Sequence, residues 1–125
     1  MSKVTLADVM TNEVISIDQE ASVQVAAEKM RKENICSLIV QQAGNFIGVV
    51  TETDVVKKVV AKRKVLSQTK VGEIMTSPII SIESTQPLNK ANIIMALKGI
   101  RHLPVSSRGK IVGIVSSKDL ASCFQ

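Results

Sequence analysis

Residues 10–17 read MTNEVISI and residues 75–82 read MTSPIISI, so the same motif returns after 65 positions. The match extends outward without a gap. Residues 9–56 align with residues 74–121, and 14 of the 48 positions are identical, where chance at ordinary composition gives roughly three. This duplication predicts two copies of one supersecondary unit, packed face to face about a pseudo-twofold axis. Any site at the junction of the copies should then exist twice.

Each copy opens with a pattern that predicts a strand and then a helix. Alternating β-branched residues predict short strands over 14–17 and 79–82. Ser22 is a suitable N-cap for the helix of the first copy, and Pro87 stands at the helix start of the second. Before these strands, a short segment that we call the lead-in (residues 6–10 and 71–75) is also repeated.

The second half of each copy predicts a hairpin and a final helix. Asn34 and Gly99 occupy equivalent positions, where a left-handed helix end is expected. Two apolar runs then flank a turn that holds Gly44 or Gly109, which is typical of a β-hairpin. The final helix begins near the aspartate of a repeated S/T-x-x-D motif. The predicted fold is therefore α/β, with a β-α-β-β-α order in each copy.

Length and composition favour a soluble intracellular protein. At 125 residues and 45% apolar, the chain fits one compact domain whose two halves share a core. No apolar run approaches the 18 or so residues of a membrane span, and residues 1–8 do not resemble a secretory signal. Cys36 and Cys123 have no C-x-x-C spacing, so reduced thiols are expected. We expect a cytoplasmic location and no contact with a membrane.

The formal charge of +5 is concentrated in one segment. Residues 57–64 contain five basic side chains and no acid, and the other eleven bases are balanced by eleven acids. This segment could form a solvated helix face, or it could contact phosphates or an acidic partner. The chain has only two aromatic residues, Phe46 and Phe124, and so lacks the usual stacking platforms for single-stranded nucleic acid.

The repeated S/T-x-x-D motif offers the clearest candidate for chemistry. It occurs as Thr51–Asp54 and as Ser116–Asp119, where a strand gives way to a helix. One interpretation is a capping box that closes the helix N-terminus. The other is a ligand site, in which the hydroxyl faces a phosphate and the carboxylate accepts hydrogen bonds from ribose hydroxyls. The two interpretations are compatible.

Other kinds of site find little support in the sequence. Neither G-x-x-x-x-G-K-S/T nor G-x-G-x-x-G is present. The single histidine cannot build the usual metal site, so no metal is expected. A catalytic triad needs more polar residues than the two copies share, so we expect no enzyme activity.

Four motifs in fixed order resemble those of the cystathionine-β-synthase (CBS) domain. The two sequence copies in tandem resemble a CBS pair, or Bateman module. They are the M-T-x-x-h-I-S-I motif, GIRHLPV at 99–105, GKIVGIV at 109–115 and the final Ser116-x-x-Asp119. The resemblance covers residues 4–121 and implies a single compact CBS pair. We place CBS domain 1 at 4–60, a linker at 61–68 and CBS domain 2 at 69–124.

The resemblance implies two related clefts between the copies, each for an adenosine-containing ligand such as AMP, ADP or ATP. S-adenosylmethionine and NAD are alternative ligands, and no cofactor is required. The first cleft would use Thr51 toward the phosphate, Asp54 toward the ribose, and Val49, Thr76, Ile79, Ile80, Ile100, Arg101 and His102 around the base. The second cleft would use Ser116, Asp119, Ile114, Thr11, Val14, Ile15, Ile35, Cys36 and Ser37.

The two copies differ at one informative place. Arg101-His-Leu-Pro of the second copy stands where the first has Cys36-Ser-Leu-Ile. An arginine can pair bidentately with a phosphate, and neither a cysteine nor a serine replaces that charge. We therefore expect the cleft that contains Thr51, Asp54 and Arg101 to bind phosphates more tightly than the other.

The sequence thus predicts a regulatory or sensor module that binds an adenine nucleotide. Because no effector domain is fused to it, we expect the module to act on a protein partner in trans and to form a homodimer. The alternative is a scaffold or nucleic-acid-associated protein that works through residues 57–64.

Overall fold

The computed structural model describes residues 4–122, and within that range the chain is an α/β structure with two three-stranded sheets. The helices are α1 (Leu6–Val9), α2 (Val23–Glu33), α3 (Glu52–Val55), α4 (Val71–Ile74), α5 (Leu88–Lys98) and α6 (Ser117–Ser122). The strands are β1 (Ser16–Asp18), β2 (Ser37–Gln42), β3 (Asn45–Thr51), β4 (Ile82–Glu83), β5 (His102–Ser107) and β6 (Lys110–Ser116). Cys123, Phe124 and the predicted end of the second domain lie outside the described residues.

The chain divides into two compact units, each of which contains pieces of both sequence copies. We call them the central unit (residues 15–79) and the terminal unit (residues 1–14 and 80–125). The central unit takes α4, the lead-in of the second copy, and the terminal unit takes α1, the lead-in of the first. The domain limits drawn from the sequence repeat, 4–60 and 69–124, stay a prediction.

The same strand order and register occur in both sheets. In the central unit, β1 runs parallel to β2 with Ile17 opposite Val40, and β2 runs antiparallel to β3. In the terminal unit, Ile82 pairs with Val105 in the same way, 65 positions later. Even the register shift after Val40 recurs after Val105. The predicted β-α-β-β-α order is confirmed in both copies.

The first strand of each copy starts later than the alternating pattern predicts. β1 begins at Ser16 rather than at residue 14, and β4 begins at Ile82 rather than at residue 79. Alternation marks a side-chain pattern, whereas a strand also needs a hydrogen-bonded neighbour. Ladder pairing with β2 begins only at Ser16, opposite Ile39.

The helix ends follow the predicted capping residues. Ser22 is the N-cap of α2, and its hydroxyl accepts a hydrogen bond from the Val25 amide at 3.2 Å. Asn34 and Gly99 end α2 and α5 in the left-handed conformation, with φ of 55° and 65°. Pro87 is the residue before the first turn of α5.

Within the described residues, all of the buried apolar side chains except Ile39 belong to one of two clusters, and each cluster lies in one compact unit. Sharing between the sequence copies occurs through the lead-ins. Val71 and Ile74 of α4 are buried in the cluster of the central unit, and Leu6 of α1 is buried in that of the terminal unit. Met30 and Met95 fill equivalent core positions.

Backbone hydrogen bonds hold the α4 lead-in to the turn between β1 and α2. The Val71 amide donates to the Ala21 carbonyl at 2.8 Å, and the Gly72 amide donates to the Gln19 carbonyl at 2.9 Å. At the surface, Lys70 Nζ lies 2.7 Å from Glu20 Oε1. This hydrogen-bonded carboxylate raises the pKa of Lys70 above its ordinary value.

The basic segment continues α3 in a wider helical form than expected. Residues 56–60 make a π-helical turn, in which the Ala61 amide donates to the Val56 carbonyl at 2.8 Å. Val59 is fully buried, whereas Val56 and Val60 are exposed. A turn over residues 61–63 follows, and its last residue, Arg63, has a φ of 57°. The predicted linker 61–68 then contains a 3-10 turn, Leu66–Gln68.

Candidate functional site

Thr51 and Asp54 form a reciprocal hydrogen-bonded pair, which we call the threonine turn. Thr51 is the last residue of β3 and the N-cap of α3, and its hydroxyl accepts from the Asp54 amide at 3.2 Å. Asp54 Oδ2 in turn accepts from the Thr51 amide at 2.9 Å and from the Thr51 hydroxyl at 3.1 Å. The capping interpretation of the motif is therefore confirmed in the first copy.

Ser116 and Asp119 make the equivalent pair in the terminal unit, which we call the serine turn. Asp119 Oδ2 accepts from the Ser116 amide, and Ser116 Oγ accepts from the Asp119 amide, both at 3.1 Å. Asp54 and Asp119 are both partly buried. The helices that follow β3 and β6 thus begin with the same hydroxyl-carboxylate arrangement, one in each compact unit, and α1 begins with a similar pair, Thr5 and Asp8.

Each turn is accompanied by the threonine that directly follows a lead-in segment. In the central unit, the Val49 amide donates to the Thr76 carbonyl at 3.0 Å, and the Thr76 amide donates back at 2.9 Å. In the terminal unit, Thr11 and Ile114 exchange the same two bonds at 2.9 and 3.0 Å. The chain therefore passes beside β3 and β6 close to their C-terminal ends.

Two glycines make this close passage possible. A Cβ atom on Gly48 would lie 2.6 Å from the Thr76 carbonyl oxygen, and one on Gly113 would lie 2.7 Å from that of Thr11. Real Cβ atoms do not approach backbone oxygens this closely. The two glycines are related by the same offset of 65 positions in the sequence. Their identity in both copies was the available signal.

Lys58 is a further residue of the threonine turn that the motif did not reveal. Its Nζ lies 3.1 Å from Asp54 Oδ1 and donates to the Ile74 carbonyl oxygen at 2.9 Å. The side chain of Asp54 is 12% exposed and that of Lys58 is 41% exposed. The i,i+4 spacing of the two residues on one helix was the sequence signal for this ion pair.

The predicted site residues fall into both compact units. Of the first cleft, the central unit holds Val49, Thr51, Asp54, Thr76 and Ile79, and the terminal unit holds Ile80, Ile100, Arg101 and His102. Of the second cleft, the terminal unit holds Thr11, Val14, Ile114, Ser116 and Asp119, and the central unit holds Ile15, Ile35, Cys36 and Ser37. The contacts of Val49 with Thr76, and of Thr11 with Ile114, bring part of each set together within one unit. Their role in ligand binding stays a prediction.

Cys36 and Arg101 lie beside the start of the helix in their own unit. The Glu52 amide donates to the Cys36 carbonyl at 3.0 Å, and the Ser117 amide donates to the Arg101 carbonyl at 2.8 Å. Both side chains are exposed. The expected difference in phosphate affinity between the clefts therefore rests on two residues at equivalent positions of the fold.

An open groove of about 310 Å³ lies in the central unit between α2 and α3. It is lined by Ala27, Met30, Arg31, Asn34, Ile35, Cys36, Glu52, Val55 and Val56. Ile35 and Cys36 belong to the predicted second cleft, so the structure places these two residues at a surface depression.

Between residues 4 and 122, no group of three or more His, Cys, Asp and Glu side chains is arranged to hold a metal ion. None of the helices in that range has the length and apolar character needed to cross a membrane.

Comparison with known proteins identifies a domain family. The family model described as "CBS domain" matches residues 6–61 and 71–125. An uncharacterized protein of Methanopyrus kandleri, MK0525, is 36% identical over 96% of this chain, which spans 62% of that protein. The CBS domain-containing protein YhcV of Bacillus subtilis is 31% identical over 94% of this chain and 83% of its own length.

Solved structures share the same fold over nearly the whole chain. A putative signal-transduction protein with CBS domains from Burkholderia ambifaria superposes with a TM-score of 0.92 at 28% identity, over 97% of this chain and 93% of that one. The CBS domain pair of protein MJ0100, solved in complex with 5′-methylthioadenosine and S-adenosyl-L-methionine, gives a TM-score of 0.88 at 27% identity. That comparison covers 98% of this chain and 97% of the other.

Proposed function

The chain belongs to the CBS-domain family, and from that premise we propose that it is a regulatory module that binds adenosine-containing ligands at its threonine and serine turns. One observation carries the proposal: a hydroxyl-carboxylate pair stands at the end of β3 and again at the end of β6, each time close to the threonine that follows a lead-in and pairs with that strand. The MJ0100 domain pair, whose complex contains two adenosine derivatives, supports the class of ligand.

The hydrogen bonding at Asp54 suits a ribose hydroxyl. A carboxylate offers about four acceptor positions, two on each oxygen. Oδ2 already accepts from the Thr51 amide and hydroxyl, and Oδ1 lies beside Lys58 Nζ. Oδ1 therefore keeps one position for a hydroxyl donor. A second ribose hydroxyl would have to find another acceptor or replace the Thr51 hydroxyl at Oδ2.

The ligands that we propose are AMP, ADP and ATP, with S-adenosylmethionine and NAD as alternatives. All of them present an adenosine to the same residues. We propose apolar contacts for the adenine, from Val49 and Ile79 in the central unit and from Ile114 and Val14 in the terminal unit. These side chains are half-buried, so they retain surface on which a base can pack.

Carboxylate substitution tests the proposal. We expect Asp54→Asn to weaken AMP binding in calorimetric titration by about tenfold, because a charge-assisted hydrogen bond contributes roughly 1.5–3 kcal/mol. Asp8→Asn is the matched control. Asp8 accepts from the Thr5 amide at 2.8 Å in a capping box of its own, but it belongs to no predicted cleft. Equal effects of both substitutions, or none, would contradict a ligand role for Asp54.

Small molecules released from the purified protein identify the ligand directly. We expect mass spectrometry to detect an adenosine compound in the fraction released from the wild-type protein. The same fraction from the Asp54→Asn, Asp119→Asn double variant should lack it. A ligand that binds only the native state must also raise the melting temperature. A protein that carries no adenosine compound, and whose melting temperature none of them raises, does not have this function.

For regulation, we propose that the bound nucleotide favours one arrangement of the module and so changes its contact with a protein partner in trans. A ligand can shift such an equilibrium only by its differential affinity for the two states. We also propose a homodimer as the acting form. Sedimentation velocity with and without AMP measures both the oligomeric state and its response to the ligand.

A second candidate function is favoured by the exposure of the basic segment. Lys57, Lys62, Arg63 and Lys64 all have exposed side chains. A scaffold or nucleic-acid-associated protein would bind RNA or DNA in a salt-dependent way through these residues. Loss of retention on neutralising them, with AMP binding intact, would support this alternative.

A further inference from the structure

Lys58 joins the carboxylate of the threonine turn to the lead-in segment of the central unit. Its Nζ lies 3.1 Å from Asp54 Oδ1 and donates to the carbonyl oxygen of Ile74, the last residue of α4, at 2.9 Å. A lysine ammonium has three N–H donors and no acceptor. With two donors engaged, one remains. The side chain is 41% exposed, so it keeps access to a bound molecule.

The charge of Lys58 offsets a repulsion that Asp54 would otherwise create. A ribose held at Asp54 separates that carboxylate from the 5′-phosphate of the same nucleotide by about the width of one sugar ring, and both groups are negative. Asp54 is only 12% exposed, so water screens its charge less than that of a surface residue. The adjacent ammonium makes the pair electrically neutral, and its remaining N–H can donate to a phosphate oxygen.

We propose that Lys58 is a specificity-determining residue that selects anionic adenosine ligands over uncharged or cationic ones at the threonine turn. The inference rests on the proposed function, because it requires an adenosine ligand at Asp54. The S/T-x-x-D motif itself does not demand a lysine at this place. The residue at the same offset in the second copy is Cys123.

A purely structural role for Lys58 makes a different prediction. If the lysine only holds α4 in place through Ile74, its loss should lower the affinity for every adenosine ligand to the same extent. If the lysine selects ligands by charge, its loss should lower the affinity more for the more negative ligands. A series of adenosine, AMP and ATP, with S-adenosylmethionine as the cationic member, separates the two roles.

The test is calorimetric titration of these four probes into the wild-type chain, Lys58→Met and Lys58→Arg. In Lys58→Met we expect AMP affinity to fall about tenfold, which corresponds to about 1.4 kcal/mol. ATP affinity should fall further, because the lost attraction grows with the charge of the ligand. The affinity for adenosine should change by less than about twofold, and S-adenosylmethionine should bind to Lys58→Met at least as tightly as to the wild-type chain. Lys58→Arg should retain AMP binding, since it keeps the charge.

Lys62→Met is the matched control, because it removes the same charge from an exposed position of the same segment. The titrations are repeated in variants that also carry Asp119→Asn. This substitution weakens binding at the serine turn, so the measured affinity is that of the threonine turn. Equal losses for adenosine and AMP in Lys58→Met, or unchanged AMP affinity, would overturn the role of Lys58 while leaving the proposed function intact. A wild-type chain that binds none of the four probes would instead overturn the proposed function, and the selection with it.

Discussion

At the scale of single residues, the hydroxyl of Thr51 is engaged before any ligand arrives. It donates to Asp54 Oδ2 and accepts from the Asp54 amide, so it cannot donate to a phosphate without giving up the first bond. Ligand binding at this turn would then exchange one hydrogen bond for another. Under the proposed function, a ligand would therefore compete with the cap for the Thr51 hydroxyl.

Substitution of Thr51 separates its methyl from its hydroxyl. We expect Thr51→Val to lower the free energy of unfolding by about 1 kcal/mol, because the N-cap acceptor is lost while the shape is kept. Thr51→Ser should leave the stability almost unchanged, because serine is at least as good an N-cap residue as threonine. Urea unfolding followed by circular dichroism measures the difference. Thr53→Val, at an exposed neighbouring position, is the control, and equal stability of Thr51→Val and the control would contradict the capping role.

Sequence could predict the residues of the turn that interact locally but not those that interact at long range. Thr51 and Asp54 are three positions apart and recur at the offset of 65, so both the repeat and the spacing identify them. The contact of Lys58 with the Ile74 carbonyl spans 16 positions and involves a backbone atom, which has no sequence signature. The arrangement of α4 had to be known first.

At the scale of elements, the regular helices and hairpins were predictable because their ends carry specific residues. Asn34 and Gly99 supply the left-handed helix ends, and Gly44 and Gly109, with φ of 83° and 79°, supply the hairpin turns. The π-helical turn at 56–60 was not predictable, because valines and lysines fit an α-helix equally well. Burial of Val59 shows which side of this turn faces the core.

Substitution of Gly48 tests the close passage of Thr76, the residue after the second lead-in, beside β3. We expect Gly48→Ala to destabilise the protein by about 1–3 kcal/mol, as overpacking of a tight contact does. The added Cβ would meet the Thr76 carbonyl oxygen at 2.6 Å. Hydrogen exchange should also accelerate at the Val49 and Thr76 amides, which bond across this contact.

Gly72→Ala is the control for that substitution. Its Cβ would lie 3.2 Å from the Gln19 carbonyl oxygen, a milder approach, and alanine gains about 1 kcal/mol of helix propensity over glycine in α4. We therefore expect Gly72→Ala to be close to neutral. If both variants unfold at the same urea concentration, the close passage at Gly48 does not limit the choice of residue there.

At the scale of the whole molecule, the boundaries of the sequence repeat and those of the compact units differ. The repeat suggests a division within the linker, whereas the central unit runs from residue 15 to residue 79. The reason is the exchange of lead-ins. Val71 and Ile74 contribute buried side chains to the central unit, although they belong to the second copy in sequence. A repeat shows what is duplicated, but not which pieces pack together.

Two fragments of equal length test which boundary describes the folding unit. Residues 15–79 contain the whole central unit, including α4, whereas residues 4–68 contain the first repeat and its linker without α4. The core of the 4–68 fragment is smaller, because it lacks Val71 and Ile74, which are 0% and 2% exposed in the full chain. It also leaves the Val49 amide and carbonyl without Thr76.

We expect the 15–79 fragment to unfold cooperatively in urea and to give dispersed amide resonances. The 4–68 fragment should not, because each buried aliphatic side chain contributes roughly 1.5–3 kcal/mol and a chain of this size has little stability to spare. Adding Val71→Ala and Ile74→Ala to the 15–79 fragment should abolish its cooperative unfolding transition. That result would show that the buried side chains of α4 stabilise the fragment. Cooperative unfolding of the 4–68 fragment with a similar midpoint would show that the lead-in is dispensable and that the sequence repeat marks the folding unit.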